Sequence, residues 1–360
     1  MKVSIIGTVG IPAKYGGFET LVNYLTQNLA DQFDITVYCS GKAYINHIKT
    51  YNGANLKYIN LNANGVQSIL YDIISIFKSL KNSDVLLILG VSGCIVLPFI
   101  NFISKKKIIV NIDGLEWKRA KWGKFAKKFL RFSEKIAVKN SDFVVTDNKV
   151  IEDYVLSEYK KKSQLIAYGG NHVHKEKIND KLISSFPFLN EKYCFKVCRI
   201  EPENNVKMIL DTFSDLPNRI IVIVGNWNNS HYGKLLKKTY SDFNNIFLID
   251  PIYNQQILNQ LRSNCHIYIH GHSAGGTNPS LVEAMYLELP IFSFGVNYNK
   301  ESTQYEAKYF DNKLELNNLL TTINDMELIE IGKAMKKNAL KFYNWSYVSK
   351  KYSELFKINL

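Results

Sequence analysis

The sequence predicts an α/β protein of two domains, each a parallel β-sheet covered by helices. Three observations carry that prediction. Apolar runs of strand length recur along the chain with helical segments between them. The runs are near-continuous rather than alternating, as in parallel strands buried on both faces. The alternation breaks after Ala167 and resumes at Tyr193, and 360 residues with 46% hydrophobic content are enough for two cores.

In the first alternation, strands are expected at residues 3–6, 35–38, 56–59, 85–89, 108–111, 143–145 and 164–166, with helices at 18–30, 66–80 and 122–139 among those between them. The opening residues form a strand and lack the cleavage site of a signal peptide. The apolar run 85–103 approaches the length of a membrane span. However, the segment Gly90 to Gly93 splits it into strand, turn and helix, so it reads as a buried β-α unit. Residues 169–192 contain Gly-Gly, three lysines before Leu182 and Phe-Pro, and read as a linker or crossing loop. In the second alternation, strands are expected at 193–198, 219–224, 246–249, 265–270 and 291–294. Helices are expected at 203–213, 232–240, 254–262 and 280–287. No fixed-period repeat is present beyond this architecture.

The formal net charge is +13, which favours anionic partners: phosphorylated ligands, an anionic membrane surface or nucleic acid. No nucleic-acid-binding fold or base-stacking platform is evident, so nucleic acid is disfavoured. Five cysteines, Cys39, Cys94, Cys194, Cys198 and Cys265, form no C-x-x-C pair and fit core thiols in a reducing compartment.

In open parallel sheets, ligands bind beyond the carboxyl ends of the strands, so the loops there hold the candidate site residues. After the first strand comes Gly7-Thr8-Val9-Gly10-Ile11-Pro12-Ala13-Lys14-Tyr15-Gly16-Gly17-Phe18-Glu19-Thr20. It lacks the G-x-G-x-x-G turn of a dinucleotide site, which disfavours an NAD oxidoreductase. Gly16 and Gly17 stand directly before a helix, where the backbone can approach a ligand and the amides can meet an anion. A plain turn is the alternative. After a later strand, Asn111-Ile112-Asp113-Gly114-Leu115-Glu116-Trp117-Lys118-Arg119 places Asp113, Glu116 and Trp117 on the ligand side. The helix that follows carries Phe125, Phe129, Phe132 and Ile136 on one face, expected to be core. Beside it runs a stripe of Lys124, Lys128, Arg131, Lys135 and Lys139. This stripe could meet anionic lipid, hold the diphosphate of an acceptor, or be a solvated face.

In the second domain, Val197-Cys198-Arg199-Ile200-Glu201-Pro202-Glu203-Asn204-Asn205 follows a strand, and the Arg199 guanidinium suits phosphate oxygens. Trp227 either flanks a base or packs in the core. The loop His270-Gly271-His272-Ser273-Ala274-Gly275-Gly276-Thr277-Asn278-Pro279-Ser280-Leu281-Val282-Glu283 leads from a strand into a helix starting near Pro279. Its free amides suit a diphosphate or sugar. Glu283, expected in the first helical turn, could accept ribose hydroxyls. His270 and His272 have no third ligand nearby, and no Asp-x-Asp motif is present, so metal-independent chemistry is expected.

These motifs resemble family 4 retaining glycosyltransferases, and specifically their bacterial rhamnosyltransferase-like branch. The resemblance is strongest in the Gly16-Gly17 loop, the Asp-Gly-Leu-Glu-Trp-Lys-Arg segment at Asp113, and the Gly-Gly-Thr-Asn-Pro-Ser loop at Gly275. It implies a GT-B type fold: two Rossmann-like domains facing a central cleft, with a C-terminal helix crossing back to the first. Residues 1–170 with 345–360 would be the acceptor-side domain, and 171–344 the donor-binding domain. The segment at Phe342-Tyr343-Asn344-Trp345 resembles the family's last helix, with Trp345 a packing residue.

Residue by residue, the resemblance implies catalytic roles for Asp113, Arg199 and Asn278. It implies substrate contacts for Gly16, Gly17, Glu116, Trp117, Arg199, Asn204, Gly275, Gly276, Thr277, Asn278, Pro279, Ser280, Leu281 and Glu283. Three departures stand out. Cys198 replaces the motif's glycine, Asn204 its usual lysine, and Gly275 the first glutamate of Glu-x₇-Glu. The function implied is transfer of a hexose, L-rhamnose from dTDP-rhamnose, onto a lipid-diphosphate-linked sugar for capsule or cell-wall polysaccharide. No cofactor is implied beyond the dTDP- or UDP-linked donor. The location implied is the cytoplasm, peripheral on the inner face of the membrane through residues 118–139. A UDP-glucose or UDP-galactose transferase, a sugar-nucleotide epimerase and a non-catalytic binder of anionic surfaces remain alternatives.

Overall fold

In a computed structural model of the protein, residues 1–13, 16–119 and 122–358 are described. Lys14 and Tyr15 of the first loop and Lys121 of the basic segment lie outside them. The chain divides into two compact units, one of Met1–Tyr168 with Trp345–Leu360, the other of Gly169–Asn344.

The first unit comprises β1 (Lys2–Ile6), α1 (Gly17–Leu29), β2 (Asp34–Ser40), β3 (Thr50–Tyr51), β4 (Ala54–Ile59), α2 (Gln67–Ser79), β5 (Val85–Leu89), α3 (Leu97–Ile103), β6 (Lys107–Asn111), α4 (Lys124–Asn140), β7 (Phe143–Thr146), α5 (Lys149–Tyr159) and β8 (Gln164–Leu165). The second comprises α6 (Asp180–Ser185), β9 (Tyr193–Val197), α7 (Val206–Ser214), β10 (Ile220–Val224), α8 (His231–Tyr240), β11 (Ile246–Ile249), α9 (Gln255–Ser263), β12 (Ile267–His270), α10 (Pro279–Tyr286), β13 (Ile291–Phe294), α11 (Asn297–Ser302), β14 (Lys308–Phe310), α12 (Lys313–Thr322) and α13 (Asp325–Phe342). A last helix, α14 (Trp345–Lys357), belongs to the first unit.

The first sheet has the order β3-β4-β2-β1-β5-β6-β7-β8 and the second β11-β10-β9-β12-β13-β14. All strand pairings are parallel except β3 on β4. The strand order reverses direction between β1 and β5 in the first sheet and between β9 and β12 in the second. Such switch points leave a crevice at the carboxyl ends of the two strands, because their following connections run to opposite faces. The first core joins β1, β2 and β5 to Leu21, Val22 and Leu25 of α1, and to Trp345, Val348, Tyr352, Leu355 and Phe356 of α14. Trp345 stacks on Tyr24 with ring centroids 4.5 Å apart, a packing role as expected.

The expected strands occur within about two residues of their predicted limits. Two short strands are additions: β3, reached through an Asn52-Gly53 turn with both residues at positive φ, and β14 at the far edge of the second sheet. Four expectations need correction. Residues 169–192 hold α6, capped by Asn179, and a 3₁₀ turn at Pro187–Asn190. The helix expected from 203 is broken: a 3₁₀ turn at Pro202–Asn204 ends in Asn205 at φ 51°, and α7 starts only after it. The phenylalanine face of α4 is not core, since Phe125 is 90% exposed and Phe132 also faces outward. Leu130, Ser133, Glu134, Ala137 and Val138 are buried instead. The β5-α3 unit is buried only in part: Leu97 and Ile100 of α3 pack inward, but Phe99, Phe102 and Ile103 on its other side are exposed. Among the described residues, no helix is long and apolar enough to cross a membrane.

Candidate functional site

The switch point of the second sheet gathers the sequence-predicted residues of that unit. β9 and β12 are adjacent, so the loops after them meet. Five hydrogen bonds hold these loops, four of them running from one loop to the other. Asn204 Nδ2 donates to the Arg199 carbonyl (2.8 Å) and Asn205 Nδ2 to that of Gly271 (2.9 Å). The Ser273 amide and hydroxyl both donate to the Glu203 carbonyl, at 2.8 and 2.9 Å. Asn204 Oδ1 also lies 3.0 Å from His272 Nδ1. Asn204 is 4% exposed with both ends of its amide engaged, so it positions the two loops. This differs from the ligand contact expected at that position.

Arg199 leaves the end of β9 partly exposed, and its nearest acidic partner, Glu201, is 3.9 Å away. Ile200 is tied by its amide to Asn226 Oδ1 at 2.8 Å. Behind Arg199, Lys196 is buried in β9 and has no hydrogen-bond or ion-pair partner among the described residues. A Cβ added at Gly271 would stand 3.1 Å from its Nζ and 2.4 Å from the Asn204 carbonyl oxygen, so only glycine fits there. Burial lowers the Lys196 pKa. Burial, then the Lys196 and His272 charges, push His270 well below the usual histidine range.

The loop after β12 reaches α10 through Gly275 at φ 110°, a left-handed conformation that glycine accepts without strain. Gly276 and Thr277 are buried. Asn278 caps α10: its Oδ1 accepts from the Ser280 amide (3.0 Å) and hydroxyl (2.8 Å). Pro279 takes the first helical position, where no amide is needed. Leu281 faces the core.

Glu283 lies in the second turn of α10, not the first. Its carboxylate accepts from the fully buried Arg262 of α9 and lies 3.0 Å from His172 Nε2. Burial alone would raise the Glu283 pKa, but Arg262 and His172 outweigh it and hold the group at about 2. Sequence reasoning did not single out Arg262 or His172. The signal for Arg262 was a basic residue at the end of a helix whose neighbours Leu258 and Leu261 are core. His172 carried none. Trp227 is wholly buried and donates to the Ile249 carbonyl at 2.9 Å, which resolves its two readings in favour of the core.

In the first unit, Gly16 precedes α1 at φ 133°, and a Cβ there would lie 1.8 Å from Glu19 Oε2. Glu19 Oε1 accepts from the Val9 amide (2.8 Å) and the Thr8 hydroxyl (3.1 Å). The protein's own carboxylate thus stands at the amide end of α1, where an external anion was expected. Gly17 opens the helix.

After β6, Asp113 has φ 58° and its carboxylate lies 3.7 Å from Arg119. Arg119 also pairs with Glu116 at 2.8 Å, and Glu116 accepts from Trp122 Nε1 at 3.0 Å. Asp113, Glu116 and Arg119 are therefore one cluster, and Arg119 is the member the sequence reading left out. Trp117 instead turns to α4, donating to Glu134 at 3.2 Å, with Arg131 over its ring at 5.1 Å.

Residues 178–326 match the family model described as glycosyl transferases group 1, and residues 1–171 one described as a domain of unknown function, DUF1972. No curated protein matches the chain. Among solved structures, sucrose-phosphate synthase from Thermosynechococcus elongatus is similar, with a TM-score of 0.84 at 13% identity over 99% of this chain and 98% of that one. Anabaena HepE, solved with UDP-glucose, gives 0.77 at 13% identity over 99% of both chains. The N-terminal domain of Candida albicans trehalose-6-phosphate phosphatase gives 0.70 at 9% identity, over 98% of this chain and 96% of that one. The chain has the GT-B fold, and its second unit carries a glycosyl transferases group 1 domain.

Proposed function

We propose that the protein is a retaining, metal-independent hexosyltransferase that takes L-rhamnose from dTDP-rhamnose and passes it to a lipid-diphosphate-linked sugar. The observation that carries the reading is the stitched pair of loops at the β9/β12 switch point, with Arg199 at one side and the glycine-rich approach to α10 at the other. The guanidinium and the α10 amides face developing negative charge on a leaving diphosphate, the term that dominates catalysis of this kind. Glu283, kept ionised by Arg262 and His172, is the acceptor for ribose hydroxyls. The leaving diphosphate oxygen takes the proton of the acceptor hydroxyl on the same face of the sugar, so no side-chain nucleophile is required.

In the first unit, the Glu19 carboxylate already stands beside Gly16 at the start of α1 and is held by Val9 and Thr8, which favours a sugar rather than a phosphate beside Gly16 and Gly17. The Asp113–Glu116–Arg119 cluster suits sugar hydroxyls of the acceptor. The basic segment 118–139 is read as the contact with an anionic membrane face.

Transfer of radiolabelled sugar decides the donor. Turnover is expected with dTDP-rhamnose. Turnover with UDP-glucose or UDP-galactose alone keeps the transferase and replaces the donor, an outcome that the UDP-glucose complex of Anabaena HepE makes worth including. Turnover with none of the three removes the enzymatic reading.

A further inference from the structure

Helices α2, α3 and α4 of the first unit share an outer surface unlike that of an ordinary helical layer. A helix covering a sheet normally turns charged and polar groups to solvent. Here Val66, at the N-cap of α2, begins a stripe that continues through Leu70, Ile74 and Phe77, all exposed. The spacing of three or four residues keeps them on one face. Phe99, Phe102 and Ile103 are exposed on α3, Phe102 by 88%, and Phe125 and Phe132 on α4. The Phe77 and Phe99 rings lie 6.2 Å apart, joining the α2 and α3 parts of this surface, and α3 packs against α4. Exposed apolar areas of this extent mark sites of association.

Charge identifies the partner. Lys78, Lys81, Lys105, Lys124, Lys128, Lys135 and Lys139 are exposed on or directly after these helices. The acidic residues within the three helices are Asp72 and Glu134, and both are buried. The outer surface therefore offers aromatic and aliphatic groups among cations, with no carboxylate from these helices. That combination matches the boundary of an anionic bilayer, where lysines meet headgroups and apolar side chains reach the acyl region.

We propose that the first unit docks on anionic lipid bilayers by inserting the α2–α3 ridge, with Phe99 and Phe102 foremost and Phe125 beside them, while the surrounding lysines hold the headgroups. This rests on the membrane attachment proposed above and moves its centre from the basic stripe of α4 to the apolar side chains of α2 and α3. It does not depend on which sugar is transferred.

Flotation of the full chain with vesicles tests it, using phosphatidylcholine alone and an equal mixture with phosphatidylglycerol, at low and high salt. The wild type should float with the mixed vesicles, and part of that binding should survive salt that screens the lysines. Phe99→Ser with Phe102→Ser should weaken binding by about tenfold or more, because two phenyl groups no longer leave water. Lys124→Glu with Lys128→Glu should remove most binding at low salt. All four positions are exposed, so thermal midpoints should match the wild type, which separates loss of docking from loss of fold.

The proposal is overturned if the wild type floats with neither vesicle, or if the double serine variant binds as well as the wild type. It is also overturned if salt abolishes wild-type binding completely, which would leave an attachment by charge alone. A wild-type dimer that the serine variant cannot form, without flotation, would assign the ridge to a second copy and overturn it too. Normal flotation without sugar transfer would sink the transferase reading and leave this one standing.

Discussion

Glu283 shows how a residue can be legible while its chemistry is not. The Gly-Gly-Thr-Asn-Pro-Ser loop pointed to it, yet its ionisation is set by Arg262, 21 residues before it, and by His172, 111 residues before it. Asn204 was equally visible as a motif position, but its partner His272 stands 68 residues away and turns it inward. One consequence is a two-stage sensitivity to acid. His270 has a folded-state pKa well below that of the unfolded chain, so below about pH 6.5 the unfolded state binds a proton the fold refuses, and stability falls. Glu283 has a depressed pKa, so its contribution is whole above about pH 4.5 and is lost as pH falls towards about 2. Thermal midpoints measured from pH 8 downward should decline in two legs, and His270→Asn should flatten the first. Gly16→Ala is a second test at this scale. Its methyl group would displace the Glu19 carboxylate and release Val9 and Thr8. A loss of about 2 kcal/mol in urea unfolding is expected, well beyond an ordinary surface alanine.

Among the elements, α4 was predicted in place but turned the wrong way. Its phenylalanines have the spacing of a core stripe, and periodicity alone assigns such a stripe to the interior. The buried side instead carries Ser133 and Glu134, which are stable there because their polar atoms are engaged. Ser133 donates to the Val91 carbonyl at 2.6 Å, and Glu134 accepts from Tyr154, Tyr159 and Trp117 at 2.7, 2.6 and 3.2 Å. These partners stand 17 to 42 residues from the groups they satisfy, beyond the reach of helical spacing, so periodicity did not announce a buried carboxylate. Glu134→Ala should cost about 2–4 kcal/mol by leaving these donors without their acceptor, although alanine favours the helix itself. Glu134→Gln should recover much of that loss. The missed strands have a simpler cause. β3 and β14 lie at sheet edges and are two and three residues long, so neither shows the apolar run that marked the central strands. The Asn52-Gly53 pair was a readable hairpin signal that passed unused.

Across the whole molecule, the double alternation of strands and helices was legible because each parallel strand had to be apolar on both faces. The assignment of α14 to the first unit came from family resemblance, since a lone amphipathic helix does not say which core it covers. The structure supplies the reason: Trp345, Val348, Tyr352, Leu355 and Phe356 are buried in the first core, where α14 packs against α1. Lys107 Nζ donates to the Phe356 carbonyl at 2.6 Å and to that of Ile358. Removing residues from 345 onward should therefore destabilise the first unit by about 5 kcal/mol or more, by exposing several large side chains and their seats. Calorimetry should show that unit's transition lowered or lost, with the transition of the second unit kept. A truncated chain that melts like the full one would contradict this account of α14.

The same helix also sets an order of events during synthesis. Residues 169–344 are continuous, so the second unit has every strand and helix it needs as soon as they leave the ribosome. The first unit, although made earlier, lacks one wall of its core until residues 345–357 emerge. Domains ordinarily finish folding in the order they are translated. In this chain the earlier-made unit waits open, with its apolar seat exposed to chaperones and to neighbouring nascent chains, until the last helix closes it.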